Sequence, residues 1–260
     1  MDLSIIIPCF NEEDGMAQLE SKLMPVVRDL AQTRTVEIVL VDDGSADKTW
    51  ALMQETFGAF SEPNITVRLE KHPRNLGLGA AIRTGFAAAT GDIVITTDSD
   101  GTYKFSEIPA MLGYMTNNVD IVTASPYHPQ GGVEGVPQYR LVLSKGSSFI
   151  YRVIVKWDIY CYTALFRAYR REVIDTIPFH ADGYLAGTEF MVKAMLAGYR
   201  VAEYPTVLHQ RNFGVSKAKI ARTIKAHLQF QGRILLNKLN IFARKQPQAQ
   251  PVRRGKLGIS

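Results

Sequence analysis

Cysteine is nearly absent from this chain of 260 residues: there are two, Cys9 and Cys161. Cys9 lies in an apolar run and Cys161 among aromatics, so both read as small buried hydrophobes rather than as a disulfide. No CxxC or HxxxH spacing occurs, which argues against a structural zinc site. No stretch approaches the roughly 20 apolar residues that a helix needs to cross a bilayer. The opening Met1-Asp2-Leu3 places no basic segment before the first apolar run, so no secretory signal is expected. These absences predict a cytoplasmic protein, either soluble or peripheral at the inner face of a membrane. Acidic residues are also missing from one end. From Tyr204 onward there are twelve lysines and arginines and no aspartate or glutamate. The first 203 residues hold all 25 acidic residues against 18 of the 30 basic ones. An acidic body with a basic tail predicts an anionic partner: a membrane surface, a phosphate-bearing substrate or a nucleic acid. A nucleic acid is the weakest of the three, because no recognition fold or aromatic platform accompanies the charge.

Apolar residues make up 46% of the chain, enough for one globular core. Leu3–Pro8, Val36–Val41, Ile65–Leu69, Ile93–Thr97 and Ile121–Ala124 each fit a buried parallel strand. Between them, Glu12–Leu30, Ala46–Phe57, Gly79–Ala89 and Ser106–Met115 have helical length and period. This alternation predicts an α/β fold, a Rossmann-like doubly wound and mostly parallel sheet with helices on both faces. The second half is less regular. Gly131–Pro137 reads as a glycine-rich loop, Tyr139–Lys156 and Thr188–Ala197 as helices, and Arg200–Val207 as an edge strand. A basic amphipathic helix is expected over 216–243. Its stripe of Ile220, Ile224, Leu228, Leu235, Leu239 and Phe242 suits either an interfacial helix or one packed on its own domain. Residues 244–260 have the composition of a disordered basic tail.

Ligands of doubly wound sheets bind beyond the carboxyl ends of the strands. Acidic residues stand at three such ends: Asn11-Glu12-Glu13, Asp42-Asp43 and Asp98-Ser99-Asp100. Any one of them could be a turn or a helix cap. Three together, each directly after an apolar strand, call for a cation or a hydroxyl-rich ligand, because gathered carboxylates repel one another. Asp98 and Asp100 suit Mg²⁺ or Mn²⁺, which take hard oxygen ligands and leave positions for substrate phosphates. Asp42 or Asp43 is placed to hydrogen-bond a nucleoside. The run His72–Gly79 brings basic groups and backbone N–H donors to a helix N-terminus, a natural neighbour for anions. It lacks the GxGxxG and GxxxxGK spacings of dinucleotide and P-loop sites.

The phrases SIIIPCFNEE, IVLVDDGSADKT, RNLGLGAAIRTGF, GDIVITTDSDGTY, FRAYRREVI and FGVSK resemble, in order and spacing, those of family 2 glycosyltransferases with the GT-A fold. Within that family the chain is most similar to dolichyl-phosphate and polyprenyl-phosphate sugar (mannosyl- or glucosyl-) transferases. The likeness runs from about Leu3 to Leu236. It implies a GT-A domain over 1–215, with a nucleotide-sugar half to about 124 and an acceptor half after it. It also implies that Pro8, Phe10, Glu12, Asp42, Asp43 and Ser99 line the donor pocket. Asp98 and Asp100 would then be catalytic and face metal and diphosphate. Arg211 and Lys217 would hold donor phosphates, and Arg140 the acceptor's phosphate. Glu189 takes the acceptor-side acidic position, and would be the candidate base for a hydroxyl acceptor.

The resemblance implies inverting transfer from a nucleotide-diphosphate sugar to a polyprenyl phosphate or another anionic acceptor, with Mg²⁺ or Mn²⁺. Three positions depart from the family pattern, all on the metal or acceptor side. Thr102 stands where the family supplies a Gln as a metal-side ligand. Ser125-Pro126-Tyr127 replaces Ser-Arg-Tyr, and Cys161 replaces a common acidic residue. Two alternatives follow: transfer to a glycan hydroxyl, or a catalytically degraded subunit that binds nucleotide sugar. The family often continues into membrane spans, so peripheral attachment through the basic helix, a separate membrane partner or a homo-oligomer would be compatible with this chain.

Overall fold

The computed structural model describes residues 2–211 and 220–245, with side chains up to Lys238. In chain order its elements are β1 (Leu3–Cys9), α1 (Met16–Ala31), β2 (Val36–Asp42), α2 (Thr49–Phe57), β3 (Ile65–Lys71), α3 (Leu78–Ala88), β4 (Ile93–Thr96) and α4 (Ile108–Gly113). There follow β5 (Ile121–Ser125), β6 (Gly132–Glu134), α5 (Gln138–Ile154), β7 (Arg167–Arg170), α6 (Arg171–Thr176), α7 (Ala186–Leu196), β8 (Val201–Pro205), β9 (Val207–His209) and α8 (Ile220–Lys245). Seven strands form one sheet in the order β3-β2-β1-β4-β7-β5-β8, and β6 pairs with β9 in a small second sheet.

The apolar run of β1, interrupted only by Ser4, which donates to Glu37 at 2.6 Å, is explained by burial on both faces. Leu3, Ile5, Ile7 and Cys9 pack against α1, α2 and α4, while Ile6 meets α3 and α7 from the other side. A strand covered on both faces has no polar face to alternate with. Both cysteines are buried and free. The strands β3, β2, β1 and β4 run parallel, as the strand-helix alternation predicts. β3 is the sheet's edge and is half-buried rather than buried, with only Ile65 fully covered.

Other expectations are corrected. The helix expected over Ser106–Met115 is a 3-10 turn followed by the short α4, whose second residue is Pro109; proline lacks the N–H that an earlier start would need there. The strand expected over Arg200–Val207 divides at Thr206, β8 closing the main sheet and β9 joining β6. The expected loop Gly131–Pro137 accordingly contains a strand. β7 was not anticipated at all. It runs antiparallel between β4 and β5, and its first residue, Arg167, is fully buried. The guanidinium donates to Thr123 Oγ1 at 3.0 Å, to the Tyr162 carbonyl at 2.7 Å and to the Gly187 carbonyl. Three neutral acceptors let a charged side chain occupy the centre of a sheet. Among the described residues no helix is long and apolar enough to cross a membrane.

Candidate active site

β2, β1 and β4 are adjacent, so the three acidic segments that follow them meet at one edge of the sheet. Asn11, in the left-handed region at φ 52°, turns the chain after β1. Its backbone N–H donates to Ser45 Oγ (2.9 Å) and its side-chain oxygen accepts from Ala46 N–H (2.8 Å). Glu12 N–H donates to Thr49 Oγ1 at 2.7 Å. The turns after β1 and β2 thereby hold each other.

The two aspartates ending β2 have different surroundings. Asp42 is fully buried behind the cleft; its Oδ1 accepts Ser45 N–H at 3.1 Å, and its Oδ2 has no partner among the described residues. Asp43 accepts from His72 Nδ1 (2.7 Å), Asn75 Nδ2 (3.0 Å), Leu76 N–H (2.9 Å) and Gly77 N–H (2.8 Å). The anion expected beside His72–Gly79 is therefore supplied by the chain itself. Gly77 needs its positive φ of 100°, and a Cβ on Gly79 would lie 1.9 Å from the Ala181 carbonyl oxygen. Gly79 N–H donates to Asp182 O at 2.7 Å. Glycine at 79 thus lets the segment 180–184 lie directly on the start of α3.

Glu189, in the first turn of α7, fixes the same segment from behind. Its Oε2 accepts Ala181 N–H (2.8 Å) and His180 N–H (3.2 Å), and its Oε1 pairs with Lys193 at 2.6 Å. Burial works to raise its pKa, and Lys193 with the two amides overcomes this, leaving a lowered value.

The centre of the site is a carboxylate group bridged by an arginine from far along the chain. Arg211 Nη2 lies 2.8 Å from Glu12 Oε1, and its Nε 2.7 Å from Asp100 Oδ2. Asp100 Oδ1 accepts from Thr102 N–H (3.0 Å) and Thr102 Oγ1 (2.8 Å). Thr102 therefore orients Asp100. Asp98 is pushed up to about 8, first by burial and then by the charge of Asp100, with Arg211 opposing. Two carboxylates this close, with the ionisation of Asp98 opposed this strongly, have the donor chemistry of a hard divalent cation. Among the described residues no group of three or more His, Cys, Asp or Glu is gathered for a metal ion.

Around these groups lies a cleft of about 980 Å³. Of the residues predicted for the site, Pro8, Phe10, Glu12, Asp43, Asp98, Ser99, Asp100, Glu189 and Arg211 line it. Thr102 and Arg140 line a second cleft of about 270 Å³, which shares Asp98 and Tyr184 with the first. Lys217 lies outside the described residues. Sequence reasoning missed Tyr184 and the wall formed by Arg222, Phe230 and Arg233 of α8. Nothing marks Tyr184 in sequence, but the α8 residues recur at helical spacing and could have been read as one face.

A mostly parallel sheet with its acidic site at the carboxyl edge is the GT-A architecture. The chain belongs to glycosyl transferase family 2, whose family model matches residues 4–177. It is 30% identical over 237 residues to a dolichol-phosphate mannosyltransferase of Pyrococcus furiosus, covering 90% of this chain and 64% of that protein. It is 32% identical over 219 residues to a polyprenol monophosphomannose synthase of Mycolicibacterium smegmatis, covering 82% and 79% respectively. The chain thus spans just under two thirds of the Pyrococcus relative. The structure of glucosyl-3-phosphoglycerate synthase from Mycobacterium tuberculosis, in complex with Mn²⁺, UDP and glucosyl-3-phosphoglycerate, shares the fold with a TM-score of 0.65 at 19% identity, over 88% of this chain and 79% of that one.

Proposed function

We propose that this chain is an inverting glycosyltransferase that moves a sugar from a nucleotide-diphosphate donor to a polyprenyl-phosphate-like acceptor. The observation that carries the reading is the Glu12–Arg211–Asp100 bridge beside Asp98 in the larger cleft. The names of the Pyrococcus and Mycolicibacterium relatives support a mannosyl donor and a polyprenyl-phosphate acceptor.

In this reading Pro8, Phe10 and Glu12 hold the nucleoside end of the donor. Asp43 sets their surroundings by anchoring the 72–77 turn. Asp98 and Asp100 hold Mg²⁺ or Mn²⁺, a choice supported by the Mn²⁺ of the glucosyl-3-phosphoglycerate synthase complex; a bound divalent ion neutralises charge growing on the leaving diphosphate. Arg211 contributes a second cation at the same place. Arg140 in the smaller cleft draws in the acceptor phosphate. The two clefts share Asp98 and Tyr184, and the reacting carbon sits where they meet. A phosphate acceptor is already an anion at neutral pH, so it needs no strong base. Both oxygens of Glu189 are engaged, which supports a role in holding the 180–184 segment rather than as the base a sugar hydroxyl would need.

The test is turnover across a panel of nucleotide sugars with Mg²⁺ or Mn²⁺, for wild type and Asp100→Ala, with and without polyprenyl phosphate in vesicles. One donor consumed in a metal-dependent, lipid-stimulated way, and lost in Asp100→Ala, is expected. Donor binding without turnover under all these conditions would replace the reading with a binding subunit.

A further inference from the structure

The two clefts meet at a neck, because Leu78, Asp98, Leu165 and Tyr184 line both of them. Tyr184 is the aromatic member of that set and the bulkiest. Its side chain is 47% exposed and makes no hydrogen bond or ring contact with another described residue. Burial and then the charge of Asp98 raise its pKa, with Arg211 opposing. The hydroxyl therefore stays protonated at neutral pH and lies within the field of the carboxylate group.

The backbone that carries this ring has the opposite character. Before it, His180 and Ala181 give their N–H groups to Glu189. The Asp182 carbonyl accepts Gly79 N–H at 2.7 Å, and its carboxylate pairs with Arg83. After it, Leu185 is buried and α7 begins at Ala186, whose N–H donates to the Gly183 carbonyl at 3.0 Å. The loop is thus pinned on both sides of Tyr184 while the ring itself is held by no polar partner. Such a side chain can change rotamer quickly without moving its loop.

A neck of this kind matters for transfer to a lipid phosphate. Without an acceptor, the smaller cleft of about 270 Å³ has room for several water molecules. Water reaching the donor's anomeric carbon would form a C–O bond there as the bond to the diphosphate oxygen breaks. The electron pair would leave with the nucleoside diphosphate, the surplus proton would pass to solvent, and the sugar would be released free. Excluding water is what prevents this side reaction.

We propose that the ring of Tyr184 is a positioning residue that closes the neck, keeping water from the anomeric carbon until an acceptor phosphate displaces it. The inference rests on the lipid-phosphate transfer reading. It assigns the task to the bulk of the ring and not to the hydroxyl, which has no partner to position.

The test compares free sugar released with sugar transferred, for wild type, Tyr184→Ala, Tyr184→Phe and the control Tyr114→Ala. Tyr114 is also exposed but lines neither cleft. The probes are GDP- and UDP-linked hexoses with Mn²⁺, with and without a short, water-soluble prenyl phosphate. The ratio of the two products within one preparation does not depend on the fraction folded, so a merely structural role leaves it unchanged. Wild type, Tyr184→Phe and Tyr114→Ala should release little free sugar, with or without the acceptor. Tyr184→Ala should raise the ratio of hydrolysis to transfer by about tenfold or more, with the circular dichroism of wild type. The proposal is overturned if Tyr184→Ala keeps the wild-type ratio or loses both products. It is equally overturned if Tyr184→Phe behaves as Tyr184→Ala, which would make the hydroxyl responsible, or if Tyr114→Ala shifts the ratio as much. Transfer by wild type with an unchanged ratio in Tyr184→Ala sinks the closed neck alone. A wild type that neither transfers nor hydrolyses any donor sinks the transfer reading and the neck with it.

Discussion

Replacing Arg211 by methionine removes the only positive charge that the described contacts place between Glu12 and Asp100. The side chains involved are shielded, with Arg211 20% exposed, Glu12 8% and Asp100 11%. Taking one partner from a buried pair costs about 3–5 kcal/mol, because a charge is left buried and uncompensated. Arg211 is not fully buried, so solvent recovers part of this and the expected loss is about 2–3 kcal/mol. For a chain of this size that is a fall in Tm of about 5–10 °C. The assay is thermal unfolding in EDTA and again with saturating Mn²⁺. If Mn²⁺ binds Asp98 and Asp100 as proposed, it shares Asp100 with the guanidinium, and Mn²⁺ should raise the Tm of Arg211→Met more than that of wild type. Equal stability of the two proteins in EDTA, or an identical rise with Mn²⁺, would refute the bridge as the electrostatic centre of the site.

The raised pKa of Asp98 means that the folded chain holds this proton more tightly than the unfolded one. Stability in EDTA should therefore decline as pH rises from about 4 to 8. Asp98→Asn should match wild type only below about pH 4, where the unfolded carboxyl is protonated too, and exceed it by about 1–3 kcal/mol at pH 9, read from paired Tm profiles. For Glu189→Gln, loss of the Lys193 pair with retention of the loop amides predicts a several-fold higher KM for the donor and a kcat within about tenfold of wild type; a fall of about a thousandfold with loss of the acidic limb of the pH profile would mark a general base instead. Burial lowers His227 to about 4, so its contribution is present above pH 6.5 and is lost as pH falls toward 4. Hydrogen-exchange protection in α8, taken relative to the intrinsic rate at each pH, should fall over that window by about 1–3 kcal/mol, and His227→Gln should abolish the dependence.

The parallel half of the sheet was legible because its strands are short runs rich in Ile, Val and Leu between helical patterns, and the carboxylates stood directly after β1, β2 and β4. β7 was hidden by Arg167: a charged first residue reads as surface until Thr123, Tyr162 and Gly187 are seen to satisfy it. Pairings across long sequence distances were equally invisible. Arg211 reaches Glu12 from 199 residues away, and no local period encodes that. The direction in which α8 docks was unreadable for a different reason. Its apolar stripe suits either an interfacial helix or one packed on its own domain, and no local pattern marks that Ser147 and Tyr151 of α5 bond His227 and Gln231 while Ile234 and Phe230 enter the core beside them.

The most direct test of the central claim follows a labelled sugar from the identified nucleotide-diphosphate donor into the organic-extractable fraction of polyprenyl-phosphate vesicles. The account predicts label in a lipid-linked sugar phosphate of inverted anomeric configuration with wild type, and none with Asp100→Ala. Label that never leaves the aqueous phase while the donor is consumed would contradict the assignment of a lipid phosphate as acceptor.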